Sequence, residues 1–209
     1  MQAHIQRGRQ STTPYVYVID LCPVRAIVIV DDRSALIACR GGVPMTIDYD
    51  ISLATLNDIP GILLVQEPNL PDNGGSLSVR QTTDWFKKAI LEKSVVAGRH
   101  DGKVVGYVLG TSLAAKAHVG IIQTMLRIFP PPPDCYLYGP VCVAETERGK
   151  GLAGALFEVL RTHMGNRPAM TFIRADNAAS RRAHRKMGMS ELGTFMHEDV
   201  PHIALSYRG

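Results

Sequence analysis

The 209-residue sequence predicts an α/β (α+β) domain with a mixed, mostly antiparallel central sheet flanked by helices. Three features lead there. Short β-rich runs dominate the first half, a strand–helix–strand–helix unit occupies the second, and the chain closes on two runs spaced as a hairpin. Hairpins give antiparallel pairs, whereas the late strand–helix–strand unit is the crossover that a parallel pair requires.

Taken in order, residues 1–44 join poorly to the rest of the chain. Tyr15 to Asp20 and Arg25 to Val30 look like short strands, and Arg40-Gly-Gly-Val-Pro44 is a breaker cluster. This N-terminal extension is expected to be disordered or non-core, either a leader or the product of a start codon placed too early. A genuine extra hairpin is the other reading. The main domain is expected over 45–209. Residues 45–52 alternate as a strand, and Thr55 or Asn57 caps a helix running to about Glu67. A polar loop from Pro68 to Ser78 precedes a second helix, which starts at Thr83-Asp84 and carries Trp85, Phe86, Ile90 and Leu91 at helical spacing. Asp101-Gly102 marks a hairpin between Ser94–Arg99 and Lys103–Thr111. A helix over 116–128 stops at Pro130 to Pro133. Then come a strand over Cys135–Val143, a helix over 149–164, a strand over Ala169–Arg174, a helix over 177–187, and a hairpin of 191–197 with 201–207.

Composition narrows the function. Apolar residues make up 45% of the chain and charged residues 20%, as in a globular domain with a sizeable core. The net charge of +4 comes without a long lysine or arginine block, so no nucleic-acid partner is expected. A mild positive field also suits a small polyanionic cofactor. The apolar runs fall far short of the ~20 residues that span a bilayer, and the first 30 residues lack the pattern of a secretory signal. Cys22, Cys39, Cys135 and Cys142 form no Cys-x-x-Cys pair, and no metal cluster is visible. The expectation is a cytoplasmic protein with reduced cysteines, no metal and no membrane partner; a homodimer is left open.

The informative stretch is Arg148-Gly-Lys-Gly-Leu-Ala-Gly154, between a strand and an apolar helix. The first N–H groups of a helix lack internal partners and carry partial positive charge. Glycines let a ligand approach them, so such a turn binds phosphate. Arg148 and Lys150 add charge; the bland alternative is a tight turn with solvated basic residues. The same stretch contains Gly149-x-Gly151-x-x-Gly154, with Asp176 placed 22 residues after Gly154 as in a dinucleotide fold. That oxidoreductase reading is disfavoured, because Ala144 to Arg148 separate strand from turn and only 33 residues follow Asp176.

Residues 136–188 resemble the acyl-CoA-binding core of the GNAT superfamily of N-acyltransferases. Its Gln/Arg-x-x-Gly-x-Gly/Ala signature is matched by Arg148, Gly151 and Ala153. After the next strand, Asn177-Ala-Ala-Ser180-Arg-Arg-Ala-His184-Arg-Lys-Met-Gly188-Met189 is similar to the family's Asn-x-x-Ser/Ala helix, with Met189 where the family has an aromatic. The resemblance extends more loosely over 46–209. It implies a splayed parallel strand pair holding acetyl-CoA, or another short acyl-CoA, as co-substrate. The acetyl group would pass directly to a primary amine, most simply of a small molecule.

The resemblance also implies roles. Val141, Cys142 and Val143 would meet the pantetheine arm through their backbone, alongside ordinary core packing of their side chains. Arg148, Gly149, Lys150, Gly151, Leu152 and Ala153 would hold the pyrophosphate. Asn177, Ser180 and His184 share one helix face, which would line the cofactor; Asn177 is equally suited to capping the helix. His184 stands where many members have the tyrosine that protonates the departing thiolate, and imidazolium chemistry suits that step. Packing is the competing role. One or two of Arg181, Arg182, Arg185 and Lys186 would meet the 3′-phosphate. Tyr138, Glu67, Asp72 and His118 are the visible candidates for a base. A non-catalytic acyl-CoA-binding module of the same fold is the second class of function.

Overall fold

The computed structural model describes the strands β1 (Tyr15–Leu21), β2 (Val24–Val30) and β3 (Ala35–Arg40) by their backbone, and residues 49–209 apart from Ser78 in full. The breaker at Gly41 to Pro44, the strand start at Met45, and Cys22 lie outside the described residues. β1, β2 and β3 pair antiparallel as a three-stranded sheet of their own, with the third strand unforeseen.

The main sheet has seven strands. These are β4 (Asp50–Leu53), β5 (Val95–His100), β6 (Lys103–Ser112), β7 (Tyr136–Val143), β8 (Ala169–Arg174), β9 (Ser190–His197) and β10 (Val200–Tyr207). Their order is β4-β5-β6-β7-β8-β10-β9. Every pair is antiparallel except β7 with β8. The final hairpin therefore enters β10 first beside β8 and leaves β9 at the edge. A doubly wound dinucleotide fold is ruled out by this sheet, and Asp176 is occupied by an ion pair with Arg174 at 2.6 Å.

Among the described residues five α-helices cover the sheet: α1 (Ile59–Gln66), α2 (Thr83–Leu91), α3 (Gly120–Ile128), α4 (Leu152–His163) and α5 (Ala178–Lys186). α1 and α2 pack with Tyr107, Leu109 and Cys142 on one face. α3 joins them on that face through Ile122 and Met125, which meet Leu137, Met170 and Phe195. α4 fills the other face with Leu152, Leu156 and Leu160, packed with Tyr138, Ile173 and Ile203. Thr82 caps α2 through its side chain, which accepts from the Trp85 N–H at 3.2 Å. α3 starts later than the periodicity predicts, because a 3-10 turn over Ala114–Lys116 comes first. Asp58 anchors the start of α1. It accepts from the Thr55 N–H at 2.7 Å and takes a two-pronged ion pair from Arg99 on β5, at 2.7 and 2.6 Å.

The leucines of α4 rest directly on glycines of the sheet. Three glycines beneath the helix remove the side chains that would hold it off. A methyl at Gly98 or Gly106 would come within 3.0 Å of Leu152, and one at Gly110 within 2.8 Å of Leu160. The leucine row of α4 drops into this trough, which fixes where the helix N-terminus points.

Candidate acyl-CoA site

β7 and β8 pair only at Tyr136 with Ala169 and Leu137 with Met170, and then part. The separation follows from the residues after Leu137. Pro140 has no N–H to offer a neighbour, and β7 carries one extra residue against β6 here, since Val108 faces Val141 while Gly110 faces Tyr138. The bulge resets which side chains face which way. Tyr138, Val141 and Val143 all turn to the α4 face, and Leu137 and Cys142 to the other.

Beyond the bulge β7 has one bonded edge and one open edge. The Ala144 N–H donates to Val105 of β6 at 2.8 Å. By strand alternation Cys142 also directs its backbone toward β6, so Val141 and Val143 present theirs to the gap. Of the three residues expected to meet a pantetheine arm, two thus offer backbone groups there. Cys142 is buried against Tyr107, and burial pushes its thiol up to about 11.

The chain then turns through a short 3-10 segment (Glu145–Glu147) into the glycine turn. Gly149 and Gly151 have φ of +79° and +89°, conformations that disfavour a side chain, so α4 begins at Leu152 rather than at 149. The N–H groups of Gly149, Lys150, Gly151, Leu152 and Ala153 find no acceptor among the described residues. A Cβ built at Gly149, Gly151 or Gly154 meets nothing within 4 Å, so the turn stands open beside these donors. Donors, helix dipole and open space together fit a phosphate. Arg148 reaches Asn69 at 3.3 Å, and Lys150 pairs with Glu147 at 3.2 Å.

Glu147 was not legible as a site residue. It is buried under the turn and accepts from the Tyr49 hydroxyl at 2.6 Å. That hydrogen bond, with Lys150 beside it, holds the carboxyl below the usual range. In the sequence Glu147 reads as one more solvated charge, and Tyr49 is 98 residues away.

On α5, the Asn177 side chain accepts from the Ser180 N–H at 3.0 Å and so caps the helix. His184 lies one turn beyond Ser180 and is buried. Its Nδ1 is 2.8 Å from the Ser180 carbonyl, which can only accept, so Nδ1 carries the proton. Burial lowers the His184 pKa, against the opposing pull of that carbonyl. The ring stands edge-on to Tyr138, centroids 5.5 Å apart, and Tyr138 stands edge-on to Phe157 at 5.0 Å. Burial raises the Tyr138 phenol well above its usual range, and its hydroxyl reaches only Met187 Sδ at 3.7 Å. Glu191 takes up Arg181 at 2.9 Å and Arg185 at 3.0 Å, leaving Arg182 and Lys186 exposed and without an ion-pair partner among the described residues. Asp72 and His118 are exposed, and Glu67 is engaged with Arg80.

A second group escaped the sequence reading. His202 of β10 stacks on Phe195 of β9, centroids 5.5 Å apart, and lies 5.7 Å from the ring of Phe172 on β8. The available signal was a histidine at an inward position of an alternating apolar strand.

Among the described residues no helix is long and apolar enough to cross a membrane. No curated protein matches the chain. Among solved structures it resembles an N-acetyltransferase of Staphylococcus aureus Mu50, at 20% identity and TM-score 0.58, over 77% of this chain and 98% of that one. The Salmonella typhimurium protein yncA, solved with its cofactor acetyl-CoA, aligns at 16% identity and TM-score 0.58, over 77% and 94% of the two chains. Aminoglycoside acetyltransferase AAC(6')-Ib, solved with coenzyme A, aligns at 18% identity and TM-score 0.57, over 77% and 95%. These likenesses show the fold. The model of the acetyltransferase (GNAT) family matches residues 63–189, more than half of the sequence, and the chain belongs to that family.

Proposed function

We propose that this acetyltransferase takes its acetyl group from acetyl-CoA and passes it directly to the primary amine of a small molecule, within a ternary complex. The observation that carries the reading is the junction of β7 and α4. An open strand edge leads straight into a glycine turn whose N–H groups are unpaired and unobstructed. The acetyl-CoA and CoA bound to the two neighbours support reading the gap in the same way.

In this reading Gly149 to Ala153 bind the pyrophosphate, with Arg148 and Lys150 adding charge. Val141 and Val143 align the pantetheine arm by backbone pairing, and Cys142 holds that strand to β6. A free N–H of this edge polarises the thioester carbonyl. Asn177 and Ser180 order the facing end of α5, while Arg182 and Lys186 are placed for the 3′-phosphate. His184 is the proton source for the departing thiolate, with Tyr138 packed against it. The reaction needs no metal, and the protein is proposed to work in the cytoplasm. The acceptor would approach from the face of α1, α2 and α3.

One observation favours the second reading, a module that binds acyl-CoA without turnover. His184 is buried and its pKa is lowered, so the charged form is scarce at neutral pH. Release of free thiol from acetyl-CoA across a panel of primary amines decides between them. Amine-dependent release supports the enzyme; tight binding with no release on any amine supports the module.

A further inference from the structure

The proposed chemistry lacks a base. At neutral pH an alkyl amine is an ammonium ion and cannot attack until it loses a proton. The sheet is divided at the β7–β8 gap. His184 and the glycine turn belong to the α4–α5 face, and the α1–α3 face is left for the acceptor. The base must therefore stand on the second face, close to the open edge of β8.

His202 is there. Beyond Met170, β8 has no β7 partner. Phe172 is the first residue past that point to turn its side chain toward α3. His202 sits on the next strand, β10, with its ring against Phe172. Neighbouring strands are about 5 Å apart, so the ring stands one strand spacing behind the open edge of β8, on the acceptor's face, a span that water can bridge. Its tautomer is set as a base requires. Nδ1 is 2.9 Å from the Val200 carbonyl and must donate to it, so in the neutral ring Nε2 holds the lone pair. Nε2 has no hydrogen-bond partner among the described residues, although the residue is buried, only 6% exposed. Stacking on Phe195 and contact with Phe172 hold the ring in place.

We propose that His202 is the general base of this acetyltransferase. The inference rests on the acetyl-transfer reading above. Nε2 takes one proton from the ammonium group, and the freed nitrogen pair forms the C–N bond at the thioester carbonyl carbon. The C–S bond breaks with its electron pair on sulfur, the thiolate gains a proton from His184 or water, and the amide nitrogen sheds its second proton to solvent. The net change is ammonium plus acetyl-CoA to amide, CoA thiol and one released proton.

Burial lowers the His202 pKa, and the Val200 carbonyl pulls it back. The groups facing it are His197 of β9, whose charge would lower it further, and Arg174 and Asp176 at the end of β8, which act in opposite directions. The one charged residue of α3, Arg127, is exposed. The ring is therefore neutral and proton-accepting at pH 7.

The test uses the full-length protein at saturating acetyl-CoA, with whichever primary amine of the panel turns over fastest. His202→Gln keeps the volume and a polar end but cannot take the proton. It should lower kcat/KM for the amine about 100-fold near pH 7, with the loss shrinking as pH approaches the amine's own pKa. The KM for acetyl-CoA should be unchanged, and added imidazole should restore part of the rate in His202→Ala. A side-chain NMR titration should show His202 neutral at pH 7 with its proton on Nδ1. An active wild type whose pH profile survives His202→Gln unaltered overturns the base alone, as does a His202 that is charged at pH 7. A wild type that binds acetyl-CoA but acetylates no amine overturns the acetyl-transfer reading, and the base with it.

Discussion

The ring of His184 stands edge-on to that of Tyr138, 5.5 Å between centroids, and so ties the helix of the second signature half to the strand that opens the cofactor gap. The contact buries His184, and a buried neutral imidazole has a distinct pH signature. Only its charged form can give a proton, and its folded pKa lies below the ordinary ~6.5. The catalytic benefit over His184→Phe should thus grow as pH falls toward and below that lowered value and fade above it. His184→Tyr should keep more turnover than His184→Phe, with acetyl-CoA affinity nearly equal in all three. Stability runs the other way. The unfolded chain binds a proton more readily than the folded one, so the wild type should lose melting temperature relative to His184→Phe as pH drops below the ordinary ~6.5. Equal rates at saturating amine would leave His184 a packing residue.

The glycine turn makes a charge-specific prediction. Gly151 has φ of +89° and open space around it, so alanine and aspartate there bear a similar backbone penalty, about 1–2 kcal/mol. Only aspartate sets a negative charge before the donors. Calorimetry on folded protein should find acetyl-CoA affinity more than 10-fold weaker in Gly151→Asp than in Gly151→Ala, a difference of about 1.4 kcal/mol or more. Matching affinities would mean the phosphates bind elsewhere.

Asp58 should be a stability hinge unrelated to catalysis. Burial alone would raise its carboxyl, but Arg99 and Thr55 outweigh that and hold it below the usual value. Asp58→Asn leaves Arg99, whose side chain is 14% exposed, with only the more exposed Asp50 at 3.5 Å and the Ser52 hydroxyl at 3.0 Å, and should cost about 1–3 kcal/mol in denaturant unfolding. The wild-type advantage should be complete above about pH 4 and shrink as pH falls through the lower folded value.

A chain beginning at Met45 should unfold cooperatively and bind acetyl-CoA as the full chain does. The three-stranded sheet of β1, β2 and β3 shares no ladder with the seven-stranded one. A broadened, non-cooperative melt would show that residues 1–44 belong to the core.

What the sequence revealed was local. The glycine turn and the Asn177–Met189 helix each lie within about a dozen residues, and their spacing carries the family signal. The Asp101-Gly102 hairpin is legible for the same reason. Long-range facts were not. Nothing near Glu147 points to Tyr49, and nothing near Pro140 says that one extra residue reverses the facing of β7. His202 matters only because β10 slots in beside β8 ahead of β9, an order that hairpin spacing leaves undecided.

The trough of Gly98, Gly106 and Gly110 gives cofactor affinity a remote lever. Leu160, which Gly110 admits, is eight residues from Leu152, about 12 Å along the helix axis. An alanine at Gly110 would press on the tip of Leu160, and whatever that side chain cannot absorb by turning aside passes to the helix and so to the N–H groups of the turn. If acyl-CoA binds at the turn as proposed, a substitution at Gly110 should alter its affinity from a position that never meets the molecule, and a search confined to the pocket lining would pass over it.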